Sequence, residues 1–166
     1  MSDEELTLEQ KATNSETHKH IDRVRSLLNQ CINDLMCRGE FHDQSKLRSP
    51  EVEIFTEFTP KLKGSTYGSD EYKGYLKEMK VALDHHYTHN DHHPEHYPNG
   101  IDDMSLLEIL EMLLDWKAAG ERHENGDIFK SIEINTERFN LSPQLVKILT
   151  NTAQHLFAGE GDEVLF

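Results

Sequence analysis

A dense run of histidines constrains this chain more than any other feature of its sequence. Six of the 11 histidines lie in the histidine-rich segment from His85 to His96, which Pro94 interrupts. Imidazole rings at this density are costly to pack unless something organises them. The alternative interpretation is a solvated polar loop with no shared role for the rings. A fold that buries this segment must therefore give its histidines partners.

Apolar residues recur at helical spacing along the rest of the chain, and no segment shows the alternation typical of strands. The sequence predicts an all-α, single-domain bundle of about six helices. This bundle spans residues 16–158, between a flexible acidic lead-in (1–15) and a loose acidic tail (159–166). The predicted helices run from Glu16 to Gly39, from Ser49-Pro50 to Pro60, from Ser69 or Asp70 into the histidine-rich segment, from Ser105 to about Gly120, from Asp127 to Phe139 and from Ser142 to Phe157.

The net charge of −14 limits the partners that this chain can bind. A surface this acidic repels duplex nucleic acid and anionic membranes, and no apolar run is long enough to span a bilayer. The acidic N-terminus is unlike a secretory signal, so we expect a cytoplasmic protein. A phosphorylated substrate would have to be attracted locally, for example by a bound cation. Assembly into a homo-oligomer stays open.

The pair His42-Asp43 follows the predicted first helix, in a connector where the backbone turns. Adjacent histidine and aspartate can reach one ion at such a turn, and imidazole nitrogen with carboxylate oxygen suits a divalent metal. His20 lies on the apolar stripe of the first helix, where a lone histidine is more often a satisfied core residue than a ligand. Together these residues could supply three ligands to one point.

Within the histidine-rich segment, helical geometry separates neighbouring rings. His85 and His89 are one turn apart and can face the same way, whereas His86 points about a hundred degrees away. Further along, Asp115 shares a helical stripe with Glu111. An ordinary solvent-exposed face explains these carboxylates equally well, and Glu111 is a rival for any role given to Asp115.

The order of these residues resembles that of the HD-domain superfamily of metal-dependent phosphohydrolases. Residues 20–24 look like the family's first-histidine helix, and residues 42–46 look like its His-Asp pair followed three residues later by lysine. His85-His86 before the loop ending at 97–100 (Tyr-Pro-Asn-Gly) is similar to the cyclic-dinucleotide phosphodiesterase branch, although residues 90–93 replace that branch's glycine-rich motif. The chain also resembles a group of uncharacterised phage and bacterial proteins with the same histidine-rich segment.

The resemblance implies an HD-type helical bundle that hydrolyses a small phosphate ester, above all a nucleotide, with one or two divalent ions (manganese, iron, cobalt, nickel, zinc or magnesium). The implied ligands of a first ion are His20, His42, Asp43 and Asp115, and the residues implied to bind a second ion or the phosphate are His85 and His86. In the implied mechanism, Asp43 takes a proton from water and Lys46 neutralises phosphoryl oxygens. The candidates for protonating the leaving oxygen are His92, His93 and His96.

Two other functions would use the same residues. An HD-fold di-iron oxygenase has the same types of ligand and differs in its metal content and its reactivity with oxygen. A non-catalytic interaction protein would bind a basic partner through its acidic surface, with the histidines as structural metal ligands or a pH switch. The interaction protein would hold a coordinatively closed metal, or none, and would turn over no phosphate ester.

Overall fold

The prediction of an all-α fold is confirmed. A computed structural model describes residues 6–65, 69–122 and 126–157, and over these residues it contains α-helices and short 3₁₀ helices but no strand. The α-helices are α1 (Leu8–Phe41), α2 (Glu51–Gly64), α3 (Asp70–Glu78), α4 (Lys80–His89), α5 (Leu106–Gly120), α6 (Ile128–Phe139) and α7 (Pro143–Phe157), and the 3₁₀ helices are Gln44–Leu47, Pro94–His96 and Gly100–Asp103. In this described part of the chain, no helix has the length and apolarity needed to cross a membrane.

The first helix begins eight residues before the predicted start at Glu16. Thr7 and Gln10 form a reciprocal cap, in which the Thr7 backbone N–H donates to Gln10 Oε1 (2.8 Å) and the Gln10 N–H donates to Thr7 Oγ1 (3.2 Å). This capping box satisfies donors at the helix start without any apolar periodicity, which is why the apolar pattern missed it. The rest of the predicted lead-in (1–5) and the predicted tail (159–166) lie outside the described residues.

Two further predicted helix boundaries were wrong, and packing explains one of them. α2 does not end at Pro60 but continues to Gly64. Phe58 is buried against Tyr75, and Lys61 both pairs with Glu57 (2.7 Å) and lies over the Phe58 ring, so contacts on both sides of the proline hold the helix. The helix predicted to run into the histidine-rich segment is divided into α3 and α4 at Met79, a buried residue with ψ 0°.

The chain divides into two compact units, residues 1–41 and 42–166. The described part of the first unit consists of α1. In the second unit, α5, α6 and α7 enclose an apolar core, against which the partly buried Trp116 and Phe139 stack at 6.3 Å. The buried residues of this core are Leu113, Ile128, Ile132, Leu141, Leu149 and Ala153.

The start of α5 and the packing of α2 on α4 position polar side chains in the second unit. Ser105 and Glu108 form a capping box at the start of α5, so the register of that helix is well defined. α2 packs against α4, which brings the first residue of α2, Glu51, next to His85 and His86 in the second half of α4. The histidine-rich segment thereby begins against α2, a helix of its own unit.

Candidate metal centre

A tight turn sets the geometry of the His42-Asp43 pair. Asp43 has φ 57°, in the left-handed region that aspartate tolerates better than most residues. The 3₁₀ helix that follows returns the chain, so the Lys46 backbone N–H donates to the Asp43 carbonyl (2.9 Å). The Lys46 ammonium also reaches Asp43 Oδ2 at 2.5 Å. The turn therefore presents one carboxylate with its second oxygen, Oδ1, directed elsewhere.

Three histidines of the histidine-rich segment converge on Asp43. His86 Nε2 lies 3.3 Å from Asp43 Oδ1 and 2.9 Å from His93 Nε2. His92 Nε2 lies 3.7 Å from the same Asp43 oxygen. These four donor atoms all fall within 4.8 Å of one another, and His86 and His92 are each 2% exposed. This donor group could hold a metal ion.

A second donor group shares Asp43 and lies on its other side. His42 Nε2 is 3.6 Å from Asp43 Oδ2 and 3.6 Å from Asp115 Oδ1. One donor atom from each of these three residues lies within 4.8 Å of the other two, so they could also hold a common ion. In the described residues a third group, His42, His92 and Glu111, overlaps with both. Asp43 thus belongs to two adjacent groups and offers a different oxygen to each.

A buried glutamate sets the orientation of His86. Glu51, which is fully buried, has Oε2 2.9 Å from His86 Nδ1 and Oε1 2.6 Å from His85 Nδ1. A carboxylate only accepts, so the proton of His86 must be assigned to Nδ1. The Asn90 amide, 3.0 Å from this nitrogen, can use its two hydrogens on Ser45 Oγ (2.8 Å) and the His86 carbonyl (2.7 Å). His86 Nε2 is left with a lone pair that faces Asp43.

Glu111 does the same for His42 and His92. Its Oε1 lies 2.8 Å from His42 Nδ1 and 3.2 Å from His92 Nδ1. Each Nδ1 therefore carries a proton, and each Nε2 is turned toward Asp43. His42, His86 and His92 all share this arrangement of glutamate on one nitrogen and aspartate on the other. Such carboxylate–histidine pairs orient the histidine ligands of metal sites.

Two buried polar atoms at the centre of the cluster support a cation site. In the part of the chain that the structure describes, only Asp43 Oδ1 and His92 Nε2 are buried side-chain polar atoms without a hydrogen-bond partner. Both are acceptors in the protonation state set by Glu111, and acceptors facing each other in a buried space are unfavourable. A cation between them removes this cost, so the donor set fits a divalent metal.

The charges around the two carboxylates favour their ionised forms. Burial acts to raise the pKa of Asp43, but the Lys46 ammonium, together with the charges that His42 and His86 can carry, leaves that pKa below the usual value. Burial likewise acts to raise the pKa of Asp115, but the hydrogen bond with His42, together with the charge of Lys46 and the charge that His93 can carry, leaves that pKa below the usual value. In return, Asp115 and then Glu111 raise the pKa of His42 to about 10. Without a metal, His42 therefore carries a second ring proton and a positive charge at neutral pH.

On the other side, His86 and His93 are held neutral. Burial, and then the positive charge that His92 and His86 can carry, lower the pKa of His93 to about 3. Burial and the Lys46 ammonium also lower the pKa of His86. Neutral imidazole is the form that binds metals. These rings are therefore ready to coordinate without losing a proton.

A family model described as "Family of unknown function (DUF5662)" matches residues 9–155 of the chain. The chain belongs to this family. No curated protein and no solved structure matches it. Every residue of the two donor groups lies inside the matched region, so the cluster is part of the family's domain.

The structure gathers most of the predicted site residues. His42, Asp43, His86 and Asp115 lie in the donor groups, together with His92 and His93, which we had predicted as proton donors. Lys46 contacts Asp43. Glu111 and Asp115, the two rivals for one predicted role, both contact His42, but at different ring nitrogens. Asp115 faces Nε2 and Glu111 faces Nδ1.

Other predicted site residues lie apart from these groups. His85 bonds to Glu51 and stacks on His89, with ring centroids 4.0 Å apart, and is in none of the donor groups of the described residues. The exposed His96 donates from Nδ1 to the Tyr87 carbonyl (2.8 Å). His20 is exposed on α1, in the other unit, and its role as a ligand stays a prediction.

Glu51 was missed by sequence reasoning. It lies 34 residues before His85 in the chain, and a glutamate in the first turn of a helix is ordinarily explained by the helix dipole. Its one signal is its place directly after Ser49-Pro50, which fixes it at the helix start. Nothing in the sequence alone pairs that position with the histidine-rich segment.

Proposed function

We propose that this chain is a metal-dependent phosphohydrolase that acts on a small phosphate ester, with nucleotides as the first substrates to test. The observation that carries the proposal is the pair of unpartnered buried acceptors, Asp43 Oδ1 and His92 Nε2, inside a group of four donors. Divalent ions at such positions neutralise phosphoryl oxygens and lower the pKa of a bound water toward neutrality.

The sharing of Asp43 favours two ions over one. Asp43 Oδ1 faces His86 and His92, and Asp43 Oδ2 faces His42. A carboxylate with one oxygen in each donor group can bridge adjacent cations, as in two-metal hydrolytic sites. The mixed nitrogen and oxygen donors suit manganese, iron, cobalt, nickel or zinc better than magnesium.

Residues at the edge of the cluster have roles in this proposal. The Lys46 side chain is 35% exposed, so its ammonium can contact a phosphoryl oxygen of a bound ester while it stays beside Asp43. His96 is exposed and has Nδ1 committed to the Tyr87 carbonyl, so Nε2 is the atom that can protonate a leaving oxygen. The nucleotide assignment rests on the HD-domain resemblance, and is an analogy.

The test is turnover of a nitrophenyl phosphodiester, a nitrophenyl phosphomonoester and a panel of nucleotides by purified protein with added manganese, cobalt or nickel. The variant is Asp43→Asn, which keeps the shape of the side chain and removes its charge. The matched control is Asp84→Asn on α4, where an exposed aspartate pairs with Lys80 (2.6 Å). We expect wild type and control to turn over at least one ester and Asp43→Asn to lose turnover by at least about 100-fold.

Three results would overturn the proposal in different ways. Metal bound by the wild type without turnover of any ester would favour the acidic interaction protein with a structural metal site. Oxygen consumption by an iron-loaded protein would instead favour the oxygenase. Absence of bound metal under every ion would remove the metal centre itself.

A further inference from the structure

The metal centre of the proposed function has a carboxylate that faces ligands of both donor groups. We propose that Glu111 is a positioning residue that holds His42 and His92 by their Nδ1 atoms and thereby couples metal binding at the two positions. This inference rests on the metal centre of the proposed function and adds a residue that links metal binding in its two donor groups.

A single oxygen makes both contacts. Glu111 Oε1 lies 2.8 Å from His42 Nδ1 and 3.2 Å from His92 Nδ1, and the centroids of the two rings are 4.4 Å apart with an interplanar angle of 35°. The two rings belong to different donor groups, since His42 faces Asp43 Oδ2 and His92 faces Asp43 Oδ1. The Glu111 oxygen therefore contacts one ligand of each group.

The distances favour positioning over ligation for Glu111. The two contacts of Glu111 Oε1 with Nδ1 of His42 and of His92 are of hydrogen-bond length or at its upper limit. The Nε2 atoms of the same rings lie 3.6 and 3.7 Å from Asp43, which is too far for a hydrogen bond. A metal ligated by Glu111 would take both Nδ1 lone pairs and leave a buried N–H at His92 Nε2, which has no hydrogen-bond partner among the described residues. With protons on Nδ1, the same Nε2 is a free lone pair facing the carboxylate.

Coupling follows from the shared oxygen. When an ion at one position fixes His42, Glu111 is fixed too, and His92 is then held in the orientation that the other position requires. Thermodynamic linkage makes this effect equal in both directions. Removing the carboxylate should therefore weaken both positions, although Glu111 ligates neither ion.

The experiment is calorimetric titration of metal-free protein with cobalt(II) alone, in wild type, Glu111→Ala and Glu111→Gln. The control is Glu133→Gln, at an exposed glutamate on α6. We expect two binding steps in wild type and control. Glu111→Ala should weaken both steps by about 10- to 100-fold, the range seen when an outer partner of a metal-bound histidine is lost. Glu111→Gln keeps an oxygen acceptor and should recover most of that loss.

A ligand role would give a different pattern and overturn the inference. In that case Glu111→Ala and Glu111→Gln would be equally impaired, and one cobalt would be lost while the other kept its affinity. Unchanged affinities in Glu111→Ala, or a single cobalt in wild type, would also overturn it. If Glu111→Ala does not fold, Glu111→Asp replaces it, because the shorter carboxylate cannot reach both rings and should also weaken both steps.

The metal readout separates this inference from the proposed function. Two coupled cobalt ions without turnover of any ester would leave the positioning role of Glu111 in place and overturn the hydrolase. Two cobalt ions that are indifferent to Glu111 would overturn only the positioning role.

Discussion

The histidine-rich segment contains two sets of rings with opposite surroundings. His85 and His89 stack on each other at 4.0 Å on one face of α4, and His89 is exposed. His86 and His92 are each 2% exposed, and both have Nδ1 on a glutamate and Nε2 toward Asp43. The same residue type in one short stretch is therefore divided between a surface pair and a buried donor group.

The difference lies in the partners that the fold supplies. His85 and His86 are adjacent, and both contact Glu51, yet only His86 also faces an acceptor on its other nitrogen. A ring held at both nitrogens by acceptors needs either a second proton or a metal ion on one side, whereas a ring with one nitrogen free to reach water needs neither. The site is identified by rings that have a carboxylate at each nitrogen, more than by the density of histidines.

The largest expected effect separates the two sets directly. His92→Ala removes a buried donor next to Asp43 and should weaken cobalt or manganese binding by at least about 100-fold, because a lost ligand should matter at least as much as a lost outer partner. Calorimetric titration of metal-free protein measures it. Equal affinity in His92→Ala and wild type would show that the buried set is not a metal site.

Glu51→Ala tests the residue that touches both sets. It leaves two ring N–H groups without their acceptor in a buried position, which should lower the free energy of unfolding of metal-free protein by about 1–3 kcal/mol. Glu51→Gln keeps one acceptor oxygen and should lose less. Urea denaturation followed by circular dichroism gives both values, and a loss below about 0.5 kcal/mol for Glu51→Ala would contradict the role of this glutamate.

A pH series sharpens the comparison by charge. The folded-state pKa of His42 lies near 10, above its ordinary 6.5, so between these values the folded chain keeps a proton that the unfolded chain has lost. The free energy of unfolding of metal-free protein should fall from pH 6.5 to pH 10, by roughly 1 kcal/mol once solvent screening of this partly exposed ring is allowed for. His42→Gln should lack this fall. If the free energy of unfolding changed with pH in the same way in wild type and variant, the raised pKa of His42 would be contradicted.

The smallest effect is expected at the surface pair. His89→Ala removes an exposed ring whose one described hydrogen bond goes to the carbonyl of His85 in its own helix. Stability should change by less than about 0.5 kcal/mol and metal affinity should not change. Thermal unfolding and the same calorimetric titration serve as the readouts. A loss of metal affinity comparable to that of His92→Ala would remove the distinction between the two sets.

The sequence predicted the helical class and much of the cluster, because both rest on local patterns. Apolar spacing and caps such as Ser105 predict most of the helices. His42 and Asp43 lie together because they are neighbours in the chain, at a turn that follows the first helix. Helical geometry also predicted that His85 and His86 would diverge. Which of the two faces inward depends on where α2 packs on α4, and no local pattern contains that information.

The parts that could not be predicted depend on contacts between distant segments. Glu51 and Glu111 lie far from the rings they hold, and each has an ordinary explanation at its own place in a helix. His92 and His93 were predicted as proton donors in the mechanism that the resemblance implies, and the loop around Pro94 has no regular geometry from which their positions could be predicted. Once the loop path is known, their nitrogens fall beside Asp43.

The most direct test is anomalous diffraction at the manganese or cobalt absorption edge from crystals grown with that ion. We predict an anomalous peak among Asp43, His86, His92 and His93, and a second among His42, Asp43 and Asp115. Peaks at these places would establish the two-position metal centre. Density for the cluster without any peak, or peaks confined to surface residues such as the His85–His89 pair, would contradict it.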